Sequence, residues 1–123
     1  MKTRILFALL LGSLAVAASP ANQKNVSLTG WVSDEHCGAQ HTKPGGAGCI
    51  RKCIKGGADV GHPEWKPQRM VFVSEADKKV WVVENPETLK GREGQKVKIR
   101  GRIDARKKAI LVIEAEATEK ASQ

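Results

Sequence analysis

The segment KVKIRGRID, Lys96–Asp104, constrains the fold most strongly because apolar and charged residues alternate along it. Val97, Ile99, Gly101 and Ile103 fall on one side of an extended chain, and lysine and arginine residues fall on the other. A period of two residues is typical of a β-strand with one buried face and one solvated face. The chain is therefore predicted to contain a sheet whose inner face lies in the core.

Further segments have the same strand character, with β-branched or aromatic residues in alternation. They cover residues 27–34, 69–75, 79–84 and 109–117. The polar stretch EADKK joins the second and third strands and predicts a tight turn between them. NPETL predicts a short helix after the third strand, because Asn85 suits its N-cap, Pro86 its first turn and Glu87 the positive end of its dipole.

Five short strands with a helix between the third and the fourth follow the order of an OB-fold barrel. Gly30 and Gly101 lie inside strands, where glycine often marks the sharp bends of a small closed barrel. We therefore predict a mainly β fold, a five-stranded OB-like barrel with a Cys- and His-rich helical insert between strands 1 and 2. The alternative is an open antiparallel sheet with the insert packed on one face.

The N-terminal segment has the parts of a secretory signal peptide: the basic residues Lys2 and Arg4, an apolar core and the small residues SPA. At roughly 14 residues the apolar core is shorter than the roughly 20 needed to span a bilayer, which favours cleavage near Ala21. A periplasmic or secreted protein is expected. Its predicted organisation is a signal peptide at 1–21, a single domain at 22–118 with an insert at 34–67, and a flexible tail at 119–123.

Removal of Lys2 and Arg4 with the signal peptide lowers the formal net charge from +8 to +6. A basic domain can bind an anionic envelope surface through long-range attraction. Nucleic acid is not expected as a partner, because binders of single strands need aromatic platforms. The whole chain offers two Phe, three Trp and no Tyr.

The segment SDEHCGAQHTKPGGAGCIRKC, residues 33–53, holds all three cysteines and two of the three histidines. Its spacing places Cys37 four residues before His41 and Cys49 four residues before Cys53. Residues 47–57 predict a short helix that ends at two glycines, on which the two cysteines share a face. The glycine-rich stretch KPGGAG can reverse the chain and bring the two pairs together.

These four residues are a candidate metal site. Three thiolates and one imidazole are a known ligand set for zinc, and thiolate-rich sites also bind copper(I). The spacing is unusual for zinc, whose paired cysteines are usually followed by a longer gap. Zinc also requires reduced thiols, which an exported compartment does not favour.

A disulfide is the alternative that an oxidising compartment favours. Cys49 and Cys53 are poor partners for each other on an intact helix, because their Cβ directions are nearly parallel. Cys37 is therefore expected to pair with Cys49 or Cys53, at a gain of about 3 kcal/mol in the chain-entropy model. The remaining cysteine would be free or would form an intermolecular disulfide. Thiol redox chemistry at Cys49 and Cys53 is the third interpretation, since basic neighbours can lower thiol pKa values.

The other polar residues of the insert have simpler expected roles. His36 and His62 are expected to be solvated loop residues. Asp34 and Glu35 are expected in a turn, with Asp34 also able to support a histidine ligand from behind. Trp65 is expected to cover the core.

The segments TGWVSDEHCGAQH and CIRKCIKGG, with the C-terminal strands, resemble a family of small exported bacterial proteins of unknown function. The family has a signal peptide, a Gly-Trp-x-Ser-Asp-x-x-Cys-Gly motif, a paired-cysteine helix and an OB-like barrel. The resemblance is most specific over residues 30–53. It implies export, a small β-barrel and a shared Cys/His insert, and it implies no reaction or substrate.

The sequence as a whole predicts an exported, non-enzymatic domain with a disulfide-stapled or metal-binding insert. One alternative is a thiol-disulfide oxidoreductase that uses Cys49 and Cys53. Another is a basic envelope-binding protein. A Cys–His hydrolytic pair is disfavoured because the sequence offers no convincing third residue, so no catalytic residue is predicted.

Overall fold

The structure is a computed structural model that describes residues 23–118. The predicted signal peptide with its cleavage near Ala21, and the predicted tail at 119–123, lie outside the described residues. The elements are β1 (Gln23–Asp34), α1 (Ala47–Lys55), β2 (Met70–Ser74), β3 (Val80–Val83), β4 (Lys96–Asp104) and β5 (Ala109–Ala117), with short 3₁₀ helices at Gly38–His41, Ala58–Val60 and Pro86–Leu89. The bounds of β4 and β5 are those predicted, whereas β1 begins earlier than predicted.

The five strands close into a barrel in the order β1-β2-β3-β5-β4. The β3–β5 pair is parallel, and the pairs β1–β2, β1–β4, β2–β3 and β4–β5 are antiparallel. This is the strand order of an OB-like barrel, so the predicted fold class is confirmed. The alternative of an open antiparallel sheet is wrong.

The alternation along β4 is reproduced in its burial. Val97 and Ile99 are fully or almost fully buried, whereas Lys98 and Arg100 are exposed. Apolar residues from all five strands and Leu89 of the last 3₁₀ helix meet inside the barrel. This core consists of Val32, Met70, Phe72, Trp81, Val83, Leu89, Val97, Ile99, Ile110 and Val112.

The two strand glycines lie where the barrel wall is tightest. A Cβ at Gly30 would overlap the carbonyl oxygen of Val73 and would lie 2.7 Å from the ring of Phe72. At Gly101 the register between β4 and β5 shifts by a bulge, and a Cβ there would overlap a backbone oxygen of β5. Both positions therefore require glycine for close approach of neighbouring strands.

The predicted helix after the third strand is a single 3₁₀ turn, Pro86–Leu89. Asn85 occupies its N-cap position, as predicted, but its side chain makes no capping hydrogen bond within the described part of the chain. Instead Asn85 Nδ2 donates to the carbonyl oxygen of Val112 at 2.7 Å, and the Val112 N–H donates to Asn85 Oδ1 at 2.9 Å. The amide thus pairs with the backbone of β5 as a neighbouring strand would, which satisfies a partly buried peptide unit.

The insert leaves and re-enters the barrel between two paired strands. Asp34 of β1 pairs with Met70 of β2 in the antiparallel register. Next to them, the Glu35 N–H donates to the Arg69 carbonyl oxygen at 3.0 Å, and Arg69 Nη2 lies 2.8 Å from Glu35 Oε2. The two ends of the insert are therefore held together at the barrel wall.

The insert also packs against the barrel through α1. Ile50 is fully buried, and Ile54, one turn later on the same face, packs against the core. The first turn of α1 lies against Gly94 of the loop before β4, where a Cβ would come within 2.6 Å of the Ala47 nitrogen. Among the described residues, no helix is long and apolar enough to cross a membrane.

Candidate metal centre

The candidate centre begins at the last residue of β1. Asp34 is fully buried, and its Oδ1 accepts hydrogen bonds from the N–H groups of His36 and Cys37, each at 3.0 Å. The Ser33 hydroxyl donates to the carbonyl oxygen of Gly38 at 2.9 Å. These bonds form a tight turn that directs the chain from the barrel wall into the insert and fixes the backbone of Cys37. Asp34 Oδ2 is buried and has no hydrogen-bond partner among residues 23–118.

The 3₁₀ helix Gly38–His41 then carries the chain one turn further, and the glycine-rich return brings His41 against the start of α1. A Cβ at Gly46 would lie only 2.7 Å from His41 Nδ1. Glycine at this position therefore makes room for the imidazole beside the helix. The prediction that KPGGAG returns the chain is confirmed, since ligand atoms of Cys37 and His41 lie within 4.8 Å of the Cys49 sulfur.

The helix α1 supplies the other two thiols. Ile50 and Ile54 turn toward the barrel, and Cys49 and Cys53 each precede one of them by a single residue, at the edge of that apolar face. Cys49 is exposed, whereas Cys53 and Cys37 are half-buried. The site therefore has an inner side against the barrel and an outer side open to solvent.

The ligand atoms form two groups that share one sulfur. Within the first group, one atom each from Cys37, His41 and Cys49 all lie within 4.8 Å of one another. Within the second, Cys37, Cys53 and a carboxylate oxygen of Asp34 do the same. All four residues predicted from the sequence are thus brought together, with Cys37 at the centre. Asp34 is an additional member that the sequence assigned to a turn or a supporting role.

The thiols on the inner side are held in their neutral form. Burial, followed by the charge of Asp34, raises the pKa of the Cys53 thiol to about 11. The same two causes raise the pKa of Cys37. In the metal-free protein these thiols are therefore weak nucleophiles at neutral pH, because the thiolate is the reactive form. A cation among them would reverse this electrostatic environment.

All three cysteines are free thiols in this structure. The predicted disulfide of Cys37 with Cys49 or Cys53 stays a prediction, as does an intermolecular bond through the odd cysteine. The position of Cys37 suits either partner within the chain, since its sulfur belongs to both groups.

A groove of about 580 Å³ opens beside the centre. Cys49, Cys53 and Gly56 line one part of it, and Trp65 and Lys66 line another. The prediction that Trp65 covers the core is wrong. Its side chain is 56% exposed, and its ring stacks on that of His62 with centroids 3.8 Å apart.

The remaining predicted polar residues lie where solvated residues are expected. His36 is exposed and lines the groove, and His62 hydrogen-bonds Glu64 at 2.9 Å, in addition to its stacking. Neither belongs to the two groups of ligand atoms. Glu35 pairs with Arg69, and this hydrogen bond lowers the pKa of the Glu35 carboxyl.

Part of the positive charge on the barrel wall is paired. Arg100 Nη2 lies 2.8 Å from Glu114 Oε2, and Lys96 Nζ lies 2.6 Å from Glu75 Oε1. Such exposed pairs contribute little to stability, but they reduce the local positive field. Binding to an anionic envelope surface stays a prediction.

Comparison of the chain with family models, curated proteins and solved structures finds no match. The features that bear on function are therefore the chain's own: a closed OB-like barrel and a cluster of three thiols, one imidazole and one buried carboxylate at the mouth of its β1–β2 connection.

Proposed function

We propose that this chain is an exported, non-enzymatic metal-binding domain whose insert holds a thiophilic ion, zinc or copper(I). The ligands are Cys37, His41, Cys49 and Cys53. The observation that carries the proposal is the position of Cys37, whose sulfur lies within 4.8 Å of ligand atoms from both sides of the insert.

The distances suit a bound ion. A Zn–S bond measures about 2.3 Å, so two sulfurs on one ion are at most about 4.6 Å apart and about 3.8 Å apart in a tetrahedron. Ligand atoms within 4.8 Å of one another need only small rotamer shifts to reach this geometry. The nature of the donors, soft sulfur with imidazole nitrogen, favours zinc and copper(I) over calcium or magnesium.

A metal accounts for more of the cluster than a disulfide does. A disulfide would use Cys37 and one other thiol, and it would leave the convergence of His41 and Asp34 without a role. The sequence alone favours the disulfide because of the expected oxidising compartment. The three-dimensional arrangement favours the metal because an imidazole and a carboxylate join the thiols.

Export of this domain is part of the proposal and rests on residues 1–21. The basic start, the apolar core and the small residues before Ala21 support it, and so does the resemblance of residues 30–53 to exported bacterial proteins. The intact mass of protein taken from the envelope fraction of its native cell tests it. A mass that begins near Asn22 supports export, and an uncleaved chain found in the cytosol refutes it.

Metal titration of the reduced protein tests the binding function. Purified protein is reduced, stripped with a chelator and titrated anaerobically with Zn²⁺ against a chromophoric competitor. We expect Cys37→Ser to weaken Zn²⁺ binding by at least about a hundredfold, because both groups of ligand atoms contain the Cys37 sulfur and both would lose it. His41→Ala should weaken it, whereas His62→Ala, an exposed histidine outside the cluster, should not. Wild-type protein that binds Zn²⁺ no more tightly than Cys37→Ser refutes the proposal.

A thiol-disulfide function is the second candidate, and the proximity of the Cys37 sulfur to those of Cys49 and Cys53 supports it. The raised pKa values of Cys37 and Cys53 oppose rapid thiolate exchange at neutral pH. A thiol count on protein denatured without reductant separates the two functions. Three titratable thiols favour metal binding, and one titratable thiol favours the disulfide.

A further inference from the structure

We infer that the centre holds two metal ions bridged by the Cys37 thiolate, with Asp34 as a ligand of the inner ion. The inference rests on the proposed metal-binding function and makes it more specific. The outer ion is held by Cys37, His41 and Cys49, and the inner ion by Cys37, Cys53 and Asp34.

The division into two groups is the first argument. Each group of three atoms is compact enough to surround one ion, and the two groups have only the Cys37 sulfur in common. A thiolate sulfur has several lone pairs and can bind two ions at once. A shared sulfur between two three-ligand sets is the arrangement that a bridged pair requires.

The state of Asp34 is the second argument. Its side chain is fully buried, one oxygen accepts two backbone N–H bonds, and Oδ2 has no partner. A buried carboxylate oxygen without a hydrogen bond is costly, so native structures rarely leave one without a role. The Asp34 carboxylate supplies one oxygen to the group with Cys37 and Cys53, and coordination of a metal ion through Oδ2 would remove that cost.

The charges provide the third argument. When the ions bind, the three thiols release their protons, and the ligands then carry three thiolate charges and one carboxylate charge. Two divalent ions balance these four charges. A single divalent ion among the same four deprotonated groups would leave a net charge of −2 at a site that is half-buried against the barrel.

The stoichiometry of Zn²⁺ binding tests the inference. Native mass spectrometry of the reduced full chain, loaded with a small excess of Zn²⁺, should show two ions per chain. Asp34→Asn keeps the size of the side chain and the oxygen that accepts the turn hydrogen bonds, and it should bind one ion. Asp59→Asn, an exposed aspartate of the same insert, is the matched control and should keep two.

The separate outcomes distinguish this inference from the proposed function. Wild-type protein that binds one Zn²⁺ tightly and no second ion overturns the bridged pair and leaves the metal-binding function standing. Two ions in Asp34→Asn overturn the role of Asp34. An absence of Zn²⁺ binding overturns both proposals.

A structural readout is independent of variant folding. X-ray absorption of the doubly loaded wild-type protein should show zinc–zinc scattering at about 3.5–4 Å, the separation usual in two-metal sites. Two bound ions without this scattering would refute the bridge. His41→Ala should retain one ion and lose the scattering.

Discussion

The contact between α1 and the barrel at Gly94 leads to a quantitative prediction. Gly94 has φ +75°, and a Cβ there would lie 2.6 Å from the Ala47 nitrogen and 2.8 Å from the Ala47 Cα. Gly91 has φ +85°, and nothing lies within 4 Å of the place that its Cβ would take. Alanine at either position therefore has the same unfavourable backbone conformation, but only Gly94→Ala also collides with the helix.

The two costs can be worked separately. A left-handed backbone conformation costs a non-glycine residue about 1–2 kcal/mol, part of which is offset by the smaller entropy of the unfolded chain. We expect Gly91→Ala to lower the free energy of unfolding by about 1 kcal/mol. Insertion of a methyl group into a packed contact adds about 1–3 kcal/mol. Gly94→Ala should therefore cost about 2–4 kcal/mol.

Urea unfolding of the reduced, metal-free proteins measures this difference, provided that the slope m is unchanged among the variants. Cys49 lies in the first turn of α1, so Gly94→Ala should also weaken Zn²⁺ binding relative to Gly91→Ala. Equal destabilisation by the two substitutions would show that the helix does not rest on Gly94, and the account of how the insert is held would then be wrong.

Ile50→Ala should lower the free energy of unfolding by about 2–5 kcal/mol, measured with denaturant, because this side chain of α1 is fully buried. Asn85→Ala should cost about 2–4 kcal/mol by the same assay, since the N–H and the carbonyl oxygen of Val112 each lose a hydrogen-bond partner. In metal-free protein at pH 8, Cys53 should be alkylated about a hundredfold more slowly than a thiol of pKa 9. Its alkylation rate should rise about tenfold with each pH unit until the pH reaches about 11, and peptide mass mapping measures this rate. Glu35→Gln should cost under about 1 kcal/mol at pH 7, and this difference should vanish as the pH falls below 4.5, because the carboxyl pKa is lowered in the folded state.

Each of these predictions has a result that contradicts it. A neutral Ile50→Ala would mean that α1 does not pack on the barrel, and a neutral Asn85→Ala that the amide does not pair with β5. Alkylation of Cys53 at the rate of an ordinary thiol would contradict its burial beside Asp34. A Glu35→Gln effect that persists at acid pH would not come from the charge of the carboxylate.

The strand pattern made the barrel predictable, because period-two burial is a local property of each segment. Lys96–Asp104 shows this best, since Val97, Ile99 and Gly101 are buried and the residues between them are exposed. Gly30 in β1 and Gly101 in β4 indicated that the sheet closes into a barrel. A glycine inside a strand often marks a place where a neighbouring strand comes very close.

Long-range contacts were the part that the sequence did not reveal. Asn85 has the local sequence pattern of an N-cap. Its side-chain amide instead makes two hydrogen bonds with the backbone of Val112 on β5, whereas a capping side chain makes one with the helix backbone. Trp65 was expected to cover the core, yet its ring stacks on His62 and stays largely exposed. In both cases the competing partner is visible only once the chain is folded.

The candidate centre was predictable in its members and not in its grouping. The spacing of Cys37, His41, Cys49 and Cys53 indicated a cluster, because residues four apart on a helical turn share a face. Asp34 was missed as a member of the cluster because it also satisfies a turn. The sequence does contain one indication of this membership. Asp34 stands three residues before Cys37, at the end of a strand whose last three residues are buried.

The clip between Glu35 and Arg69 has a consequence for how such a chain can evolve. The ends of the insert leave from paired strands, and the entropy cost of closing a loop between them grows slowly with its length. The loops of the insert on either side of the packed helix α1 can therefore be lengthened or shortened without a change in strand register. The barrel is thus a stable frame, and the loops of the insert can vary while Ile50 and Ile54 keep α1 packed on it.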